Sequence, residues 1–330
     1  MNCQNLTQIN SLYEREKKKI NTQLENLFKK KRPQSLYSAA SYILKNGGKR
    51  IRPMLVLFSA KAVGGSFERV KHAAISVELL HSFSLVHDDI MDNADKRRNL
   101  LTLHKKYDLS TAILVGDSLL SIAYQELLKD LNKKDKSSIE IFTKALIEVC
   151  EGQAYDKDFE TNKNISIVDY KLMIKKKTAA LTEMCCHLGV VLGGGNKKQI
   201  KSLKLFGRYI GFAFQIRDDL LDITAEENKF GKILGGDLIE GKKTFLLLKA
   251  LEIAKGNDKK LLLKLIKDKG TNTKNVIKYK DIYLRLGILE LTEKEIKMNT
   301  NKALKQLNCL KNKEKEKLVW LANHLLIRKN

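Results

Sequence analysis

Residues 82–92, SFSLVHDDIMD, organise the rest of the chain: an apolar, helix-like run that ends in three carboxylates. On a helix, Asp88 and Asp92 share one face with ~6 Å of rise between them. Two carboxylates placed in this way repel each other, so the spacing is unfavourable unless a cation lies between them. A ligand set made only of oxygen atoms favours Mg²⁺ or Mn²⁺ over zinc. A solvated acidic helix end is the competing interpretation, and one motif does not decide between the two.

A second cluster of the same form, DDLLD at residues 218–222, also ends a long helical pattern. It places Asp218 and Asp222 on one face. Chance explains one such cluster easily, but it explains two helix-ending copies, each followed by cationic residues, much less well. If the two helices lie across from each other in a bundle, their carboxylates converge on a cavity mouth. Such charge is tolerated there only with metal ions and a polyanionic substrate.

Cationic side chains flank both clusters. Lys49 and Arg52 lie three apart just after a Gly-Gly turn, and Arg98 follows the first cluster. Guanidinium groups bind phosphate oxygens in a bidentate manner, and lysine adds a point charge, so the set suits a diphosphate. Further candidates of the same kind are Arg97, Lys177, Lys232 and Lys242. Ordinary surface charge is the alternative for any single lysine in so basic a chain.

His81 precedes Asp88 by seven residues, two turns along the same helical face. It is interpreted as a phosphate donor, with a satisfied core histidine as the alternative. His87 faces elsewhere and is expected to be structural, and Asp117 is interpreted as a packing or capping residue. The glycines at 193–195 lack the strand context that a dinucleotide-binding loop requires.

The composition predicts an all-α protein. Two prolines, few aromatic residues and long Leu/Ile/Lys/Glu segments favour helix, and no stretch of alternating β-branched residues predicts a strand. No linker separates domains, so residues 1–330 are interpreted as one all-α domain, in which residues 1–32 form an amphipathic helix with a frayed start. Residues 93–107 are expected to be a polar connection, and one helix is expected from Ser166 to Leu192.

The net charge of +24 is spread over short lysine runs without a basic, aromatic-interleaved motif, so a nucleic-acid partner is not expected. Some of these lysines attract anionic substrates or, as an open alternative, an anionic membrane surface in peripheral contact. No apolar run approaches the ~18 residues of a membrane span. The polar N-terminus lacks a signal-peptide core, and five cysteines lack CxxC pairing; both features point to the reducing cytoplasm.

Several ordered motifs resemble those of the trans-prenyltransferases, the isoprenyl diphosphate synthases of the polyprenyl synthetase family. They are GGKRIRP at 47–53, ELLH at 78–81, the first aspartate cluster with Arg97-Arg98, GD at 116–117, GQ at 152–153, KT at 177–178, FQIRDDLLD at 214–222, GD at 236–237 and GKKT at 241–244. The resemblance implies a helical bundle around a deep central cavity and a homodimer. It also implies condensation of isopentenyl diphosphate onto an allylic diphosphate (dimethylallyl, geranyl or farnesyl), with two to three Mg²⁺ ions.

The same resemblance implies roles for individual residues. Asp88, Asp92 and Asp218 would hold metal, with Asp219 and Asp222 in support. Lys49, Arg52, His81 and Arg98 would hold isopentenyl diphosphate. Arg97, Lys177, Gln215, Lys232 and Lys242 would face the allylic diphosphate, and Thr178 with Gln215 would lie near the developing cation. The chain departs from the family pattern at three positions. The family usually has glycine where this chain has Asn99, and proline where it has Leu101 and Ile233. Altered loop geometry is expected at these positions, the last of which adjoins Lys232.

Product length is expected to depend on Phe83, which lies ~7.5 Å back along the helix from Asp88. In this family an aromatic residue at that place, beside the small Ser84, resembles synthases of C15 to C20 products. Geranylgeranyl diphosphate is the favoured product, with farnesyl diphosphate second and a longer polyprenyl diphosphate as a further alternative. The competing interpretation places the floor of the cavity near residues 114–119.

Three other functions are weighed against this one. A class I terpene cyclase uses the same aspartate-metal logic but needs no isopentenyl diphosphate site, so Lys49, Arg52 and Arg98 argue against it. A non-catalytic partner subunit typically lacks one aspartate cluster, and this chain keeps both. A basic nucleic-acid-binding helical protein leaves both acidic clusters unexplained.

Overall fold

A computed structural model of the chain describes residues 3–45, 47–132, 136–225 and 234–326. These residues form α-helices joined by short turns, which confirms the all-α prediction. The first half contains α1 (Cys3–Asn26), α2 (Gln34–Lys45), α3 (Ile51–Ala62), α4 (Lys71–Met91), β1 (Lys96–Arg97), β2 (Leu100–Leu101), α5 (Leu103–Lys106), α6 (Leu109–Leu128) and α7 (Ser137–Thr161). The second half contains α8 (Ile167–Ile174), α9 (Ala180–Leu192), α10 (Lys197–Thr224), α11 (Gly236–Ile239), α12 (Phe245–Ile253), α13 (Gly256–Lys267), α14 (Val276–Arg285), α15 (Ile288–Gln306) and α16 (Asn312–Leu326).

The chain divides into two compact units. Unit 1 comprises Met1–Thr143, Met184–Lys204 and Leu307–Leu321, and unit 2 comprises Lys144–Glu183, Leu205–Gln306 and Ala322–Asn330. The boundary falls inside helices α7, α9, α10 and α16, so each of these helices contributes residues to both units. The expectation of one domain with a central cavity stays a prediction.

In unit 1, α4 is buried over much of its length and packs along α6. Ser76 Oγ donates to the Ala123 carbonyl oxygen at 2.7 Å, and both residues are buried. The close approach of α6 to α4 depends on Gly116, since a Cβ at this position would lie 2.2 Å from His87 Nε2. The amphipathic N-terminal helix predicted over residues 1–32 is observed as α1, which ends earlier, at Asn26, and is followed by a turn. The described residues begin at Cys3, so the expected fraying at the first two positions lies outside them.

In unit 2, α10 packs closely against the segment that precedes α9. A Cβ on Gly211 would lie 2.5 Å from the Ala179 Cα, so only glycine allows this approach. Thr182 Oγ1, in the first turn of α9, donates to the Gly207 carbonyl oxygen at 2.8 Å and adds a buried link between α9 and α10. The middle of α10 is thereby held against α9 and the segment that carries Lys177 and Thr178.

The expectation that the chain contains no strand is wrong over residues 96–101. Lys96 pairs with Leu101 and Arg97 with Leu100 in a two-stranded antiparallel hairpin. Its two-residue turn consists of Arg98 and Asn99, with φ of 51° and 64°. Two left-handed residues in a two-residue loop match a type I′ turn, whose twist suits a hairpin. Asparagine tolerates this conformation better than most residues, which explains physically how Asn99 fills the position.

The expectation of one helix from Ser166 to Leu192 needs correction in its middle. Its start is as predicted: the Ser166 side chain accepts from the Asp169 amide, and Asp169 returns the interaction in a capping box. Residues Lys175–Ala179, however, form a π-helical turn between α8 and α9. Such turns are rare and frequently occur at functional sites.

Candidate active site

Helix α4 ends in carboxylates that its own turns do not neutralise. Asp92 is the residue that caps its C-terminal end, and it is exposed, while Asp88 is partly buried one turn earlier. The last turn, which is described in full, contains no basic residue. The partial negative charge of a helix C-terminus disfavours carboxylates there. This end of α4 therefore concentrates negative charge that favours a bound cation.

The middle aspartate of the first cluster has a different role. Asp89 is buried, and Arg97 Nε donates to its Oδ1 at 2.7 Å. Burial raises the pKa of Asp89, and the adjacent Arg97 opposes that rise. The pair ties the hairpin to α4. The structure thus places Arg97 against Asp89, and its expected role toward the allylic diphosphate stays a prediction.

The hairpin turn brings Arg98 to the glycine segment before α3. Arg98 Nη1 donates to the Gly47 carbonyl oxygen at 2.7 Å. A Cβ on Gly48 would lie 2.9 Å from the same Nη1, and Gly48 has φ of +141°, a value that L residues rarely adopt. The Gly-Gly turn is therefore shaped to receive a guanidinium group.

Arg50 anchors the segment that carries Lys49 and Arg52. It is buried and has a left-handed backbone, with φ of 48°. Its guanidinium group donates to Glu78 Oε1 at 2.6 Å, to Asn21 Oδ1 at 2.8 Å and to the Leu44 carbonyl oxygen at 2.7 Å. The Tyr13 hydroxyl donates to the carbonyl oxygen of Lys49. Sequence reasoning missed two signals of the pair that Arg50 forms with Glu78. Arg50 lies between two predicted phosphate ligands, and Glu78 is a glutamate within the apolar run of α4.

His81 lies among the cationic groups of unit 1. Burial lowers the pKa of His81 well below its usual value, and four arginines lower it further: Arg52, Arg98, Arg97 and Arg50. The imidazole is therefore neutral at neutral pH and can donate one N–H. A neutral donor surrounded by guanidinium groups is suited to binding an anion. Of the four residues predicted to hold isopentenyl diphosphate, Lys49 and Arg98 are exposed, whereas Arg52 and His81 are partly buried.

The second cluster repeats the pattern of the first. Asp218 and Asp222 lie in the last two turns of α10, whose last turn, also described in full, contains no basic residue. Asp219 between them is buried and accepts three hydrogen bonds, from Tyr170 Oη at 2.6 Å, Gln215 Nε2 at 3.0 Å and the Phe245 amide at 3.3 Å. Burial raises the pKa of Asp219 to about 6, and the hydrogen bonds oppose the rise. Asp219 is thus held as a supporting residue.

Asp222 lies beside a carboxylate to which the sequence analysis gave no role. Its Oδ2 accepts from the Asp237 amide at 3.0 Å, and its carbonyl oxygen accepts from the Gly235 amide at 2.8 Å. Burial raises the pKa of Asp237 well above its usual value, and the carboxylates of Asp222 and Asp219 raise it further. Acidic groups that raise one another's pKa in this way favour a bound cation.

The π-helical turn positions the remaining candidates in unit 2. Lys177 Nζ donates to Asp156 Oδ2 at 2.6 Å, and Thr178 Oγ1 donates to Gln215 Oε1 at 2.8 Å. A Cβ on Gly152 would lie 2.1 Å from the Lys177 amide nitrogen, so α7 reaches this turn only through a glycine. Because Gln215 in turn donates to Asp219, one chain of hydrogen bonds links the π turn to the second cluster.

The other predicted residues are placed as follows. Lys242 Nζ pairs with Glu240 at 2.6 Å, whereas Lys232 and Ile233 lie outside the described residues. Phe83 is buried, with its ring 4.6 Å from that of His87, and Ser84 Oγ donates to the His81 carbonyl oxygen at 2.9 Å.

The capping role considered for Asp117 is wrong. Asp117 is exposed within α6, and the side chain that caps this helix belongs to Asp108, which accepts from the Thr111 amide at 2.7 Å. Asp108 directly precedes the first residue of α6, the position from which a carboxylate can reach unpaired amides. Asp117 Oδ1 lies 3.8 Å from Nε2 of His87, the residue that directly precedes Asp88.

The donor sets fit a hard divalent cation that shares its ligands with a substrate. Within the described ranges, no three His, Cys, Asp or Glu side chains are arranged to enclose a metal ion by themselves. Mg²⁺ commonly takes one or two carboxylates and completes its shell with phosphate oxygens and water. An aspartate pair at the end of α4, and another at the end of α10, is a donor set of that kind.

Comparisons with known proteins identify the family that this chain resembles. A family model described as polyprenyl synthetase matches residues 33–283. The chain is 38% identical over 301 residues to the geranylgeranyl diphosphate synthase of Sulfolobus acidocaldarius, covering 89% of this chain and 91% of that protein. It is 41% identical over 243 residues to a short chain isoprenyl diphosphate synthase of Methanocaldococcus jannaschii, covering 73% and 74%. A crystal structure of the geranylgeranyl pyrophosphate synthetase of Pyrococcus horikoshii superposes with a TM-score of 0.90 at 37% identity, covering 97% of this chain and 99% of that one.

Proposed function

The chain belongs to the polyprenyl synthetase family, and on that premise we propose that it condenses isopentenyl diphosphate with allylic diphosphates to give geranylgeranyl diphosphate. It is a prenyltransferase. The proposed product is supported by relatives named geranylgeranyl diphosphate synthase, at 38% identity in Sulfolobus acidocaldarius and 40% in Methanosarcina mazei. Dimethylallyl, geranyl and farnesyl diphosphate would serve in turn as the allylic substrate.

The observation that carries the proposal is the composition of the α4 region. One helix presents His81, kept neutral by burial and by four arginines, and seven residues later presents carboxylates at its C-terminal end. A diphosphate needs both kinds of group, since guanidinium and N–H donors bind some of its oxygens and a metal ion binds others. A terpene cyclase binds no isopentenyl diphosphate, so it does not require these guanidinium and N–H donors.

In unit 1, isopentenyl diphosphate would be held by Lys49, Arg52, His81 and Arg98. Arg98 is oriented by the Gly47 carbonyl oxygen, and Arg52 lies two residues after the anchored Arg50. His81 would donate its N–H to a phosphate oxygen, which its lowered pKa allows without a change in charge. These groups keep the diphosphate oriented while the alkene attacks.

The metal ions would be held by Asp88 and Asp92 in unit 1 and by Asp218 in unit 2, with Asp222 beside it. We propose Mg²⁺ as the ion, with two to three ions per site. When bound, such ions neutralise diphosphate oxygens and stabilise the departing pyrophosphate. The buried Asp89 and Asp219 hold the hairpin and Tyr170 in place and are not proposed as ligands.

Lys177, Lys242 and Arg97 would supply positive charge to the allylic diphosphate. Thr178 and Gln215 would present their dipoles to the developing allylic cation. Their mutual hydrogen bond of 2.8 Å fixes the orientation of both. The C–O bond of the allylic diphosphate breaks, and the alkene of isopentenyl diphosphate forms the new C–C bond with the allylic carbon. The condensed cation then loses a proton, which the released pyrophosphate accepts. The assembled enzyme is proposed to be a homodimer.

The proposal is tested by incubating the protein with Mg²⁺, isopentenyl diphosphate and each of the C5, C10 and C15 allylic diphosphates, with products identified by mass. The C20 diphosphate is expected as the main product. Asp88→Ala should lower kcat by at least ~10²-fold while circular dichroism stays unchanged, because it relieves repulsion and removes no core contact. Asp281→Ala, which removes an exposed carboxylate of α14 that has no proposed role, is the matched control. Absence of condensation with every primer would overturn the proposal.

A further inference from the structure

The outer face of α15 carries a stripe of exposed side chains that the proposed reaction does not use. The stripe consists of Lys294, Lys297, Met298, Asn301, Lys302 and Lys305, which together line one shallow groove. Their spacing of three and four residues places them on one side of the helix. We call this surface the α15 lysine face.

The orientation of the α15 lysine face is fixed by the opposite side of the same helix. That side is buried in unit 2 through Ile288, Thr292, Ile296, Asn299 and Ala303. Because five buried residues spread over four turns hold α15 in place, the lysines point away from the core of unit 2 along the whole helix. The face is a fixed feature of the fold.

The positive charge of the α15 lysine face is not neutralised by its neighbours. Helix α15 has three glutamates, and two of them have other partners: Arg217 donates to both carboxylate oxygens of Glu293, at 2.6 Å and 3.0 Å, and Lys171 pairs with Glu295 at 2.8 Å. The third, Glu290, lies one turn before Lys294 at the start of the stripe. Within the described part of the chain, none of the four lysines lies within ion-pair distance of a carboxylate. Lys302 Nζ lies 5.9 Å from the centre of the Tyr209 ring, which leaves its charge in place.

We propose that the α15 lysine face docks the protein onto a lipid bilayer that contains anionic headgroups. Charge complementarity is the first argument, since lysines near an anionic membrane are attracted individually and additively. The second is Met298, an apolar side chain that is 39% exposed among the lysines and can enter the headgroup region. The stripe has no aromatic side chain for base stacking and no guanidinium group for bidentate base contacts, which disfavours nucleic acid.

One further argument rests on the proposed function. A product with a 20-carbon chain is an amphiphile that partitions into lipid, so a synthase held at a bilayer releases it directly into that phase. The binding itself needs no substrate, and it can therefore be measured independently of the activity.

The test measures partitioning of the full chain onto phosphatidylcholine vesicles with and without phosphatidylglycerol. Binding is expected only with the anionic lipid, and it should fall as salt rises, because the Debye length shrinks to about 3 Å at 1 M. Replacing all four lysines by glutamine should lower the partition coefficient by ~10² to 10³-fold, since each lysine contributes about fivefold. The matched control is the Lys30→Gln, Lys144→Gln, Lys201→Gln and Lys260→Gln variant, which removes the same charge from four exposed sites on other elements.

The proposal predicts that the control variant binds within about twofold of the wild type. Equal losses in the two variants would overturn it, because binding would then depend on net charge alone. Neither variant should change kcat on dissolved substrates, since no proposed catalytic residue is altered. If the wild-type chain binds anionic vesicles but shows no condensation activity, only the proposed function is contradicted. If the wild-type chain is active but does not bind anionic vesicles, only the docking proposal is contradicted.

A second measurement reports the position of the face directly. Met298→Trp should show a blue-shifted emission on anionic vesicles, above the constant background of the buried Trp320. The shift should disappear when the four lysines are replaced. Single-stranded RNA is the competing ligand: lysine-dependent binding of RNA without binding of vesicles would overturn the proposal in favour of nucleic acid.

Discussion

Arg50 Nη1 lies 2.6 Å from Glu78 Oε1, and both side chains are buried. The pair joins α4 to the segment that precedes α3. Since Lys49 and Arg52 belong to that segment, their approach to a diphosphate depends on an ion pair that itself touches no substrate. Arg50 has a left-handed backbone conformation, which arginine disfavours. The contacts of the Arg50 side chain maintain this conformation.

Glu78→Gln is expected to lower the free energy of unfolding by about 3 kcal/mol, because it leaves the guanidinium charge of Arg50 buried without its partner. It should also raise KM for isopentenyl diphosphate more than it lowers kcat, because Lys49 and Arg52 lose their fixed position. Urea denaturation and steady-state kinetics measure the two effects.

The control for this pair removes both charges together. Arg50→Met combined with Glu78→Leu should be more stable than either single variant, because no uncompensated charge then stays buried. Glu290→Gln, at an exposed position of α15, should change neither stability nor KM. A loss of stability under about 1 kcal/mol in Glu78→Gln would show that the pair is not a structural anchor.

Gly152→Ala should reduce activity through a contact that touches no substrate. The added methyl group would meet the Lys177 amide nitrogen at 2.1 Å, so either α7 or the π-helical turn must move. A displaced turn misaligns Lys177 and Thr178, and we expect a loss in kcat/KM of at least ~10²-fold, as small misplacements at a reacting centre produce. Ala154→Ser, at an exposed position on the same helix, should be nearly neutral. Retained activity in Gly152→Ala would exclude a positioning role for this approach.

The contribution of Asp219 to the stability of the metal-free protein should fall as pH rises from about 4 to about 6. Burial raises the pKa of Asp219 to about 6 from its usual 3.8, so in this range the folded state binds more protons than the unfolded state. Stability from this group is therefore fully present at low pH and is lost as pH passes the folded pKa. Denaturant midpoints measured in a chelator should show this slope, and Asp219→Asn should reduce it. A slope unchanged in that variant would assign the pH dependence to other groups, such as Asp237, whose pKa is raised in the same direction.

The helices and the helix-ending carboxylates follow from local sequence. The spacing of Asp88 and Asp92 predicts their shared position at the end of α4, and Ser166 with Asp169 predicts the start of α8, because both depend on residues within one or two turns. The Arg98-Asn99 turn was missed because short paired strands carry too few residues for a periodic signal.

The supporting contacts could not be predicted, because they join residues far apart in sequence. Arg50 meets Glu78 across 28 positions, and Tyr170 meets Asp219 across 49. The π-helical turn is equally hidden, since its cause lies partly in the approach of Gly152 from α7. Sequence reasoning thus identified the groups proposed to touch the substrate better than the groups that hold them.

Phe83→Ala is expected to lengthen the product. Phe83 is buried on α4, just over one turn before Asp88, and its ring packs 4.6 Å from that of His87. Removing it opens a cavity beside the helix that carries the first metal-binding aspartates, and a growing chain can enter this space. The variant should also lose about 3–5 kcal/mol of stability, as deletions of buried phenylalanine do. Phe58→Ala, a deletion of the same size on α3, is the matched control: it should lose similar stability and still release the wild-type product. Chain lengths of radiolabelled products measure the outcome, and an unchanged length in Phe83→Ala would move the floor of the cavity to another helix, with residues 114–119 of α6 as the next candidates.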